Sequence, residues 1–162
     1  MEYRKATFAD VEGIFDLITL YAEQGVMLAR SRNTLYENLR DLMVALDGDK
    51  VVGVGGLHII WESLAEVRST AVDPNYARHG IGGEIVRLLL EEGRSLGVQK
   101  FFTLTYQTEF FGSLGFKIIT KNELPHKVWK DCIECPKFPN CDEIAMVKNE
   151  SGDKVLDEVE WK

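Results

Sequence analysis

The sequence predicts an α/β fold: a mixed, mostly antiparallel central sheet with helices on both faces. Three observations carry that reading. The apolar runs Leu42–Leu46 and Val51–Trp61 flank Asp47-Gly48-Asp49-Lys50, and a short Asp-Gly turn between apolar runs signals an antiparallel hairpin. The runs Leu64–Val72 and Phe101–Thr105 are separated by a helical pattern from Ile81 to Leu96. That strand–helix–strand order predicts a crossover with parallel strands and a right-handed connection. Apolar residues at Val11, Ile14, Phe15, Ile18, Tyr21 and Ala22 recur with the period of a helix that buries one face.

The elements follow in order. Tyr3–Ala6 reads as a short first strand. Thr7 with Asp10 has the pattern of a capping box, with Asp in place of the usual Glu or Gln, and it opens the first helix. Gly25 stops that helix. A second helix is expected from Thr34 to about Arg40, with Leu35 and Leu39 inward. After the hairpin, strand Leu64–Val72 ends at Asp73-Pro74-Asn75. The long helix that follows places Ile81, Ile85, Leu88, Leu89 and Leu96 inward, and Gly97 closes it. Phe101–Thr105 is a buried strand, Glu109–Leu114 a short helix, and a further strand and an irregular segment precede the last strand near Ile144–Val147.

A chain of 162 residues fits one domain and buries a real core. Residues 1–148 are expected to form it, followed by a polar, acidic tail at 149–162. The formal net charge of −7 argues against broad nucleic-acid binding, which needs a basic footprint. An anionic ligand then requires cations concentrated locally. No apolar run is long enough to cross a bilayer, and the first residues lack the apolar stretch of a secretion signal, so no membrane partner and a cytoplasmic location are expected.

The chemically informative segment runs from Glu66 to Gly83. A strand enters a turn, then meets Gly80, Gly82 and Gly83, then a long helix. Glycine lets backbone approach a ligand closely. The first turn of a helix offers free N–H groups and a partial positive charge. Together these suit a phosphate, and Arg78 and His79 add local cations. No Gly-Lys-Ser/Thr follows the glycines, which excludes a Walker loop, and the preceding antiparallel elements exclude a Rossmann fingerprint.

The stretch Ala77-Arg78-His79-Gly80-Ile81-Gly82 resembles the acetyl-coenzyme A loop of the GNAT superfamily, Arg/Gln-x-x-Gly-x-Gly/Ala, with Ala77 departing from the first position. Phe110-Phe111-Gly112-Ser113-Leu114-Gly115-Phe116 resembles the superfamily's second signature. Gly56–Trp61, Leu64–Ser69 and Leu104–Phe111 are similar to the short-form amino-acid acetyltransferases, relatives of N-acetylglutamate synthase in arginine biosynthesis. The likeness covers roughly residues 3–148. It implies a GNAT-like sheet, acetyl-CoA as co-substrate without a metal, and a small amino-acid acceptor. It also implies cofactor contacts at Ala71, Val72, Arg78, His79, Gly80, Ile81, Gly82, Gly83 and Phe111. A homodimer is compatible with it.

Roles follow from chemistry. Glu66 and Arg68, two apart on a strand, share a face. Glu66 is the expected general base for the acceptor ammonium, the alternative being a structural ion pair with Arg68. Arg68 is the expected grip on an acceptor carboxylate. Glutamate carries two carboxylates, and Arg30 and Arg32 supply the loop for the second, against the alternative of solvated surface arginines. Where the family often has a proton-donating tyrosine, this chain has Phe111. Tyr106 is the other candidate acid, with ordinary packing as the alternative. His58 reads as a satisfied structural histidine. His126, Cys132, Cys135 and Cys141 form a possible Cys₃His zinc set of irregular spacing, the alternative being buried or free thiols.

The leading expectation is acetyl transfer to the α-amine of glutamate by direct attack in a ternary complex. Acetylation of another small amine or a protein N-terminus, and a non-catalytic acetyl-CoA sensor, remain open at this stage.

Overall fold

The computed structural model describes residues 1–124 and 143–150. Seven strands join in the hydrogen-bonded order β1-β2-β3-β4-β5-β7-β6. They are β1 Glu2–Lys5, β2 Leu42–Asp47, β3 Lys50–Trp61, β4 Leu64–Val72, β5 Lys100–Thr105, β6 Lys117–Ile119 and β7 Ile144–Asn149. The helices are α1 Val11–Glu23, α2 Arg32–Glu37, α3 Ile81–Leu96 and α4 Thr108–Ser113. The chain divides into two compact units, one of residues Met1–His58 with Val67–Glu92, the other of Ile59–Glu66 with Gly93–Lys162.

In the first unit, β1 pairs antiparallel with β2, and β2 with β3. The Asp-Gly turn closes the second pair as expected, with Asp47 opposite Lys50 and Gly48 at φ +63. The register shifts once, between Ala45 and Leu46. α1 brings Val11, Ile14, Leu17 and Ile18 onto Val44, Leu46 and Val54. Asp10 accepts from the Thr7 N–H at 2.7 Å before α1 begins, and Gly25 follows α1 at φ +75, as the sequence indicates. Leu17 is buried although it lies off the expected stripe, while Phe15 is only half-buried.

α2 begins two residues before the expected start because the Ser31 hydroxyl caps it, accepting from Thr34 N–H at 3.1 Å. It ends at Glu37, and a separate turn, Leu39–Asp41, leads into β2. Leu35 is buried and Leu39 half-buried.

Glycines set the closest packing in this unit. A Cβ at Gly53 would lie 2.8 Å from Ile81 Cγ2 and 2.9 Å from Ile85 Cδ1. One at Gly55 would lie 2.6 Å from Ile85 Cγ2 and 3.2 Å from Leu89 Cδ1. Real side chains never come so near, so only glycine on β3 lets α3 lie this close to the strand.

In the second unit, β4 and β5 pair in parallel through Leu64–Lys100, Ala65–Phe101 and Glu66–Phe102, the parallel pairing expected of the crossover. β7 pairs antiparallel with both β5 and β6. Its core gathers Leu64, Phe102, Leu124, Ala145 and Val147. Of the expected inner side of α3, Ile81, Ile85 and Leu89 are buried and Leu88 is half-buried. Leu96 is corrected: it is 64% exposed, because the last helical turn ends at Gly97 (φ +91) and Val98 takes the buried place. Among the described residues no helix is long and apolar enough to cross a membrane.

Candidate active site

The glycine-rich loop is built where β4 ends. Val72 O accepts from the Tyr21 hydroxyl at 2.5 Å, which fixes the strand end to α1. Asp73 N–H donates to Val52 O at 2.8 Å, and the Asp73 carboxylate accepts from Asn75 N–H at 2.9 Å. Tyr76 donates its hydroxyl to Asp47 at 2.6 Å, and Lys50 pairs with Asp73 at 3.3 Å. These contacts hold the loop as it turns through two left-handed residues, Arg78 (φ +67) and Gly80 (φ +76). Glycine takes that conformation without strain, whereas at Arg78 it costs about 1 kcal/mol or more. Both Arg78 and His79 are exposed.

The first intrahelical bond after the loop runs from Glu84 N–H to Gly80 O, 3.0 Å. The amides of Ile81, Gly82 and Gly83 belong to the first turn, where an α-helix supplies no internal acceptor. A Cβ at Gly83 meets nothing within 4 Å, so packing does not require glycine there, and the open space leaves the amides accessible. The residues therefore fit a diphosphate: three amide donors, a helix start and two local cations. Glu84 is an acid in the same turn, but Arg87 grips it through two bonds of 2.6 and 2.9 Å. Those bonds hold the Glu84 carboxyl below its ordinary range.

A shallow cleft, open to solvent, lies in the same unit. Arg30, Thr34, Asn38, Asp41, Arg68 and Ser69 supply its polar lining, over Leu35, Leu42 and Gly56. It is lined by Arg30 and Arg68, two of the three arginines that the sequence offers for an acceptor carboxylate. Ser69 is left-handed at φ +56 within β4. Arg32 goes elsewhere: it pairs with Glu12 at 2.6 and 3.1 Å and lies 4.1 Å over the Phe15 ring, so it is bound to α1. His58 is satisfied as expected, by Asp41, with Nδ1 to Oδ2 at 2.6 Å. That Asp41 itself lines the cleft went unseen in the sequence. Asp41 lies just outside the ladder, in the turn before Leu42, so strand register alone does not bring it to His58.

On β4, Ala65 and Val67 are buried, while Glu66 and Arg68 are half-buried, which is the alternation of a shared open face. In the second unit, Tyr106 directly follows β5 and is half-buried. Phe111 is buried in a run of edge-on rings, 5.0 Å from Phe110 and 5.3 Å from Phe116. His126, Cys132, Cys135 and Cys141 lie outside the described residues, as do residues 151–162 of the expected tail. Among the described residues no group of three or more His, Cys, Asp or Glu is placed to hold a metal ion.

Comparison with known proteins adds an independent line. Residues 11–116 match the Acetyltransferase (GNAT) family. An amino-acid acetyltransferase of Mycobacterium tuberculosis is 40% identical over 131 residues, covering 79% of this chain and 75% of the relative. A Mycobacterium tuberculosis structure in complex with CoA and NLQ superposes with a TM-score of 0.80 at 34% identity, over 92% of this chain and 99% of that one. N-acetylglutamate synthase from Neisseria gonorrhoeae, complexed with coenzyme A and N-acetyl-glutamate, gives a TM-score of 0.83 at 25% identity; 91% of this chain matches 34% of that one. With the strand order and these likenesses in agreement, the chain belongs to the acetyltransferase (GNAT) family and is an acetyl-CoA-dependent acetyltransferase.

Proposed function

We propose that this enzyme transfers the acetyl group of acetyl-CoA to the α-amine of L-glutamate, by direct attack in a ternary complex. The observation that carries the proposal is the convergence of Arg30 and Arg68 on one cleft. A guanidinium grips a carboxylate through two parallel hydrogen bonds, and a dicarboxylic amino acid offers one carboxylate to each. Support comes from the relative named as an amino-acid acetyltransferase and from the neighbour complexed with N-acetyl-glutamate.

Donor and acceptor sites are linked by one strand, because β4 carries Arg68 and ends at Val72, where the donor loop starts. Ala71 and Val72 flank the thioester arm, the amides of Ile81, Gly82 and Gly83 hold the diphosphate, and Arg78 takes over the cationic role vacated at Ala77. The acceptor enters as an ammonium. Glu66 takes one proton from it, directly or through a water. The freed lone pair attacks the thioester carbonyl, the carbon–sulfur bond breaks, and coenzyme A leaves as its thiolate. Thiol pKa values near ~8.5 make it a fair leaving group. Phe111 has no proton to give and packs instead. The reaction belongs in the cytoplasm, early in arginine biosynthesis, on one catalytic domain of residues 1–148.

Coenzyme A release across a panel of amino acids tests the acceptor. L-glutamate is expected to give the highest kcat/KM. Background release with L-glutamate, alongside turnover of another amine, would refute the assignment. Glu66→Gln is expected to lower kcat by about 10²–10⁴ with acetyl-CoA binding unchanged.

A further inference from the structure

The loop between β4 and α3 has little apolar packing to hold it. From Pro74 to Gly80 every residue is exposed except Tyr76, which is half-buried. Arg78 and Gly80 are left-handed, and Arg78 is strained there. A loop this exposed keeps one shape only if polar contacts select it. Those contacts meet at Tyr76. Its N–H donates to Asp73 O at 2.8 Å, and its own carbonyl accepts from His79 at 3.0 Å. A carbonyl only accepts, so Nδ1 of His79 carries the hydrogen. The Tyr76 hydroxyl leaves the loop and donates to Asp47 Oδ2 at 2.6 Å, the length of a bond to an ionised carboxylate. Lys50, opposite Asp47 in the β2–β3 hairpin, lies 5.5 Å over the Tyr76 ring and pairs with Asp73. The Tyr76 side chain thus ties the loop to the end of a hairpin, while its carbonyl braces His79, the residue directly before Gly80.

Asp47 stands outside the residues assigned to acetyl-CoA, and its charge alone disfavours an anion on the loop that it holds. Its contribution is therefore mechanical. We infer that Asp47 is a positioning residue for the acetyl donor. Acting through Tyr76, it keeps the loop in the shape that leaves the first-turn amides of Ile81, Gly82 and Gly83 open to the diphosphate. An untied loop samples other shapes. The donor binds only the competent fraction, so its dissociation constant rises as that fraction falls. This inference rests on the reading of the glycine-rich loop as the diphosphate cradle.

The test measures the Kd of acetyl-CoA by calorimetry, beside the urea midpoint of the same proteins. Tyr76→Phe keeps the ring and loses only the hydroxyl. It is expected to raise Kd about three- to tenfold with the midpoint little altered. Asp47→Ala is expected to do the same, although loss of a negative charge would by itself tighten binding. Asp47→Asn keeps an oxygen that accepts from the Tyr76 hydroxyl and is expected to recover most of the affinity. If Gly83→Ala weakens acetyl-CoA binding, yet Tyr76→Phe and Asp47→Ala leave Kd as it is, the inference is overturned and the cradle stands. The same holds if Asp47→Asn weakens binding as much as Asp47→Ala, or if the weaker binding comes with a matching fall in the midpoint, the mark of a merely structural tether. If Gly83→Ala leaves Kd unchanged, the cradle reading fails and this inference fails with it.

Discussion

Gly83→Ala separates what the donor cradle does for the fold from what it does for the ligand. Gly83 lies in the first turn of α3, and a Cβ there meets nothing within 4 Å. The free enzyme therefore gains the difference in helix preference, about 0.5–1 kcal/mol, with no clash to offset it. For a chain of this size that corresponds to a rise in Tm of roughly 1–4 °C. The ligand sees the reverse. A helical Cβ tilts toward the N-terminus, where the diphosphate must sit to meet the amides of Ile81 and Gly82. Losing one hydrogen bond to a charged group costs about 1.5–3 kcal/mol, so KM for acetyl-CoA should rise between about ten- and a hundredfold. Steady-state kinetics with both substrates varied, beside a thermal melt without ligand, measures both effects. An unchanged acetyl-CoA KM would refute the cradle. A fall in Tm would refute the open space above Gly83.

Gly55→Ala should act in the opposite sense: its Cβ would lie 2.6 Å from Ile85 Cγ2, so overpacking of about 1–3 kcal/mol should lower the urea midpoint by roughly 1 M. Arg68→Ala should raise KM for L-glutamate by tenfold or more while leaving that for acetyl-CoA within about twofold, as loss of a charged hydrogen-bond donor requires. Burial pushes the Asp10 carboxyl up, but the bonds from Arg4 at 2.7 and 3.1 Å and from Thr7 outweigh it, and the net direction is down. The unfolded chain then binds more protons than the native one across that interval. Asp10 should contribute its full stability above about pH 4 and lose it as pH falls through the lower folded value. Urea titrations of the native protein and Asp10→Asn between about pH 2 and 7 should converge at the acid end, and parallel curves would exclude this role.

Strong local punctuation made most of the fold legible. β4 runs from Leu64 to Val72 and α3 from Ile81 to Leu96, both at their expected limits, because Asp73-Pro74 and Gly97 stop them unambiguously. The strand-to-helix turn around Gly80 was readable for the same reason, since its glycines and the helix after it are local signals. Burial at the end of α3 was not readable: Leu96 keeps the helical period but has no neighbour to pack on, and that depends on tertiary context. Ser69 turns left-handed inside a strand without the glycine that would advertise it. Arg30 and Arg32 look equivalent in sequence, yet Arg32 pairs with Glu12 and Phe15 while Arg30 lines the cleft. Asp41 meets His58 from the turn Leu39–Asp41, outside the paired strand, where no local pattern marks the contact.

The two glycines beneath α3 touch different methyl groups of one side chain. Gly53 faces the Cδ1 end of Ile85, and Gly55 faces its Cγ2 branch. Ile85→Val would clear the first and keep the second; Ile85→Leu would do the reverse. Truncation to Ala would clear both but leave a cavity costing about 2–5 kcal/mol, and Ile81 Cγ2 crowds Gly53 as well. Substitutions at these positions are therefore interlocked: a change at 53 or 55 calls for its own reshaping of residue 85, and Val or Leu there serves only one of the two. Sequence drift in this chain should accordingly leave 53, 55 and 85 fixed as a trio, even where the rest of β3 and α3 varies freely.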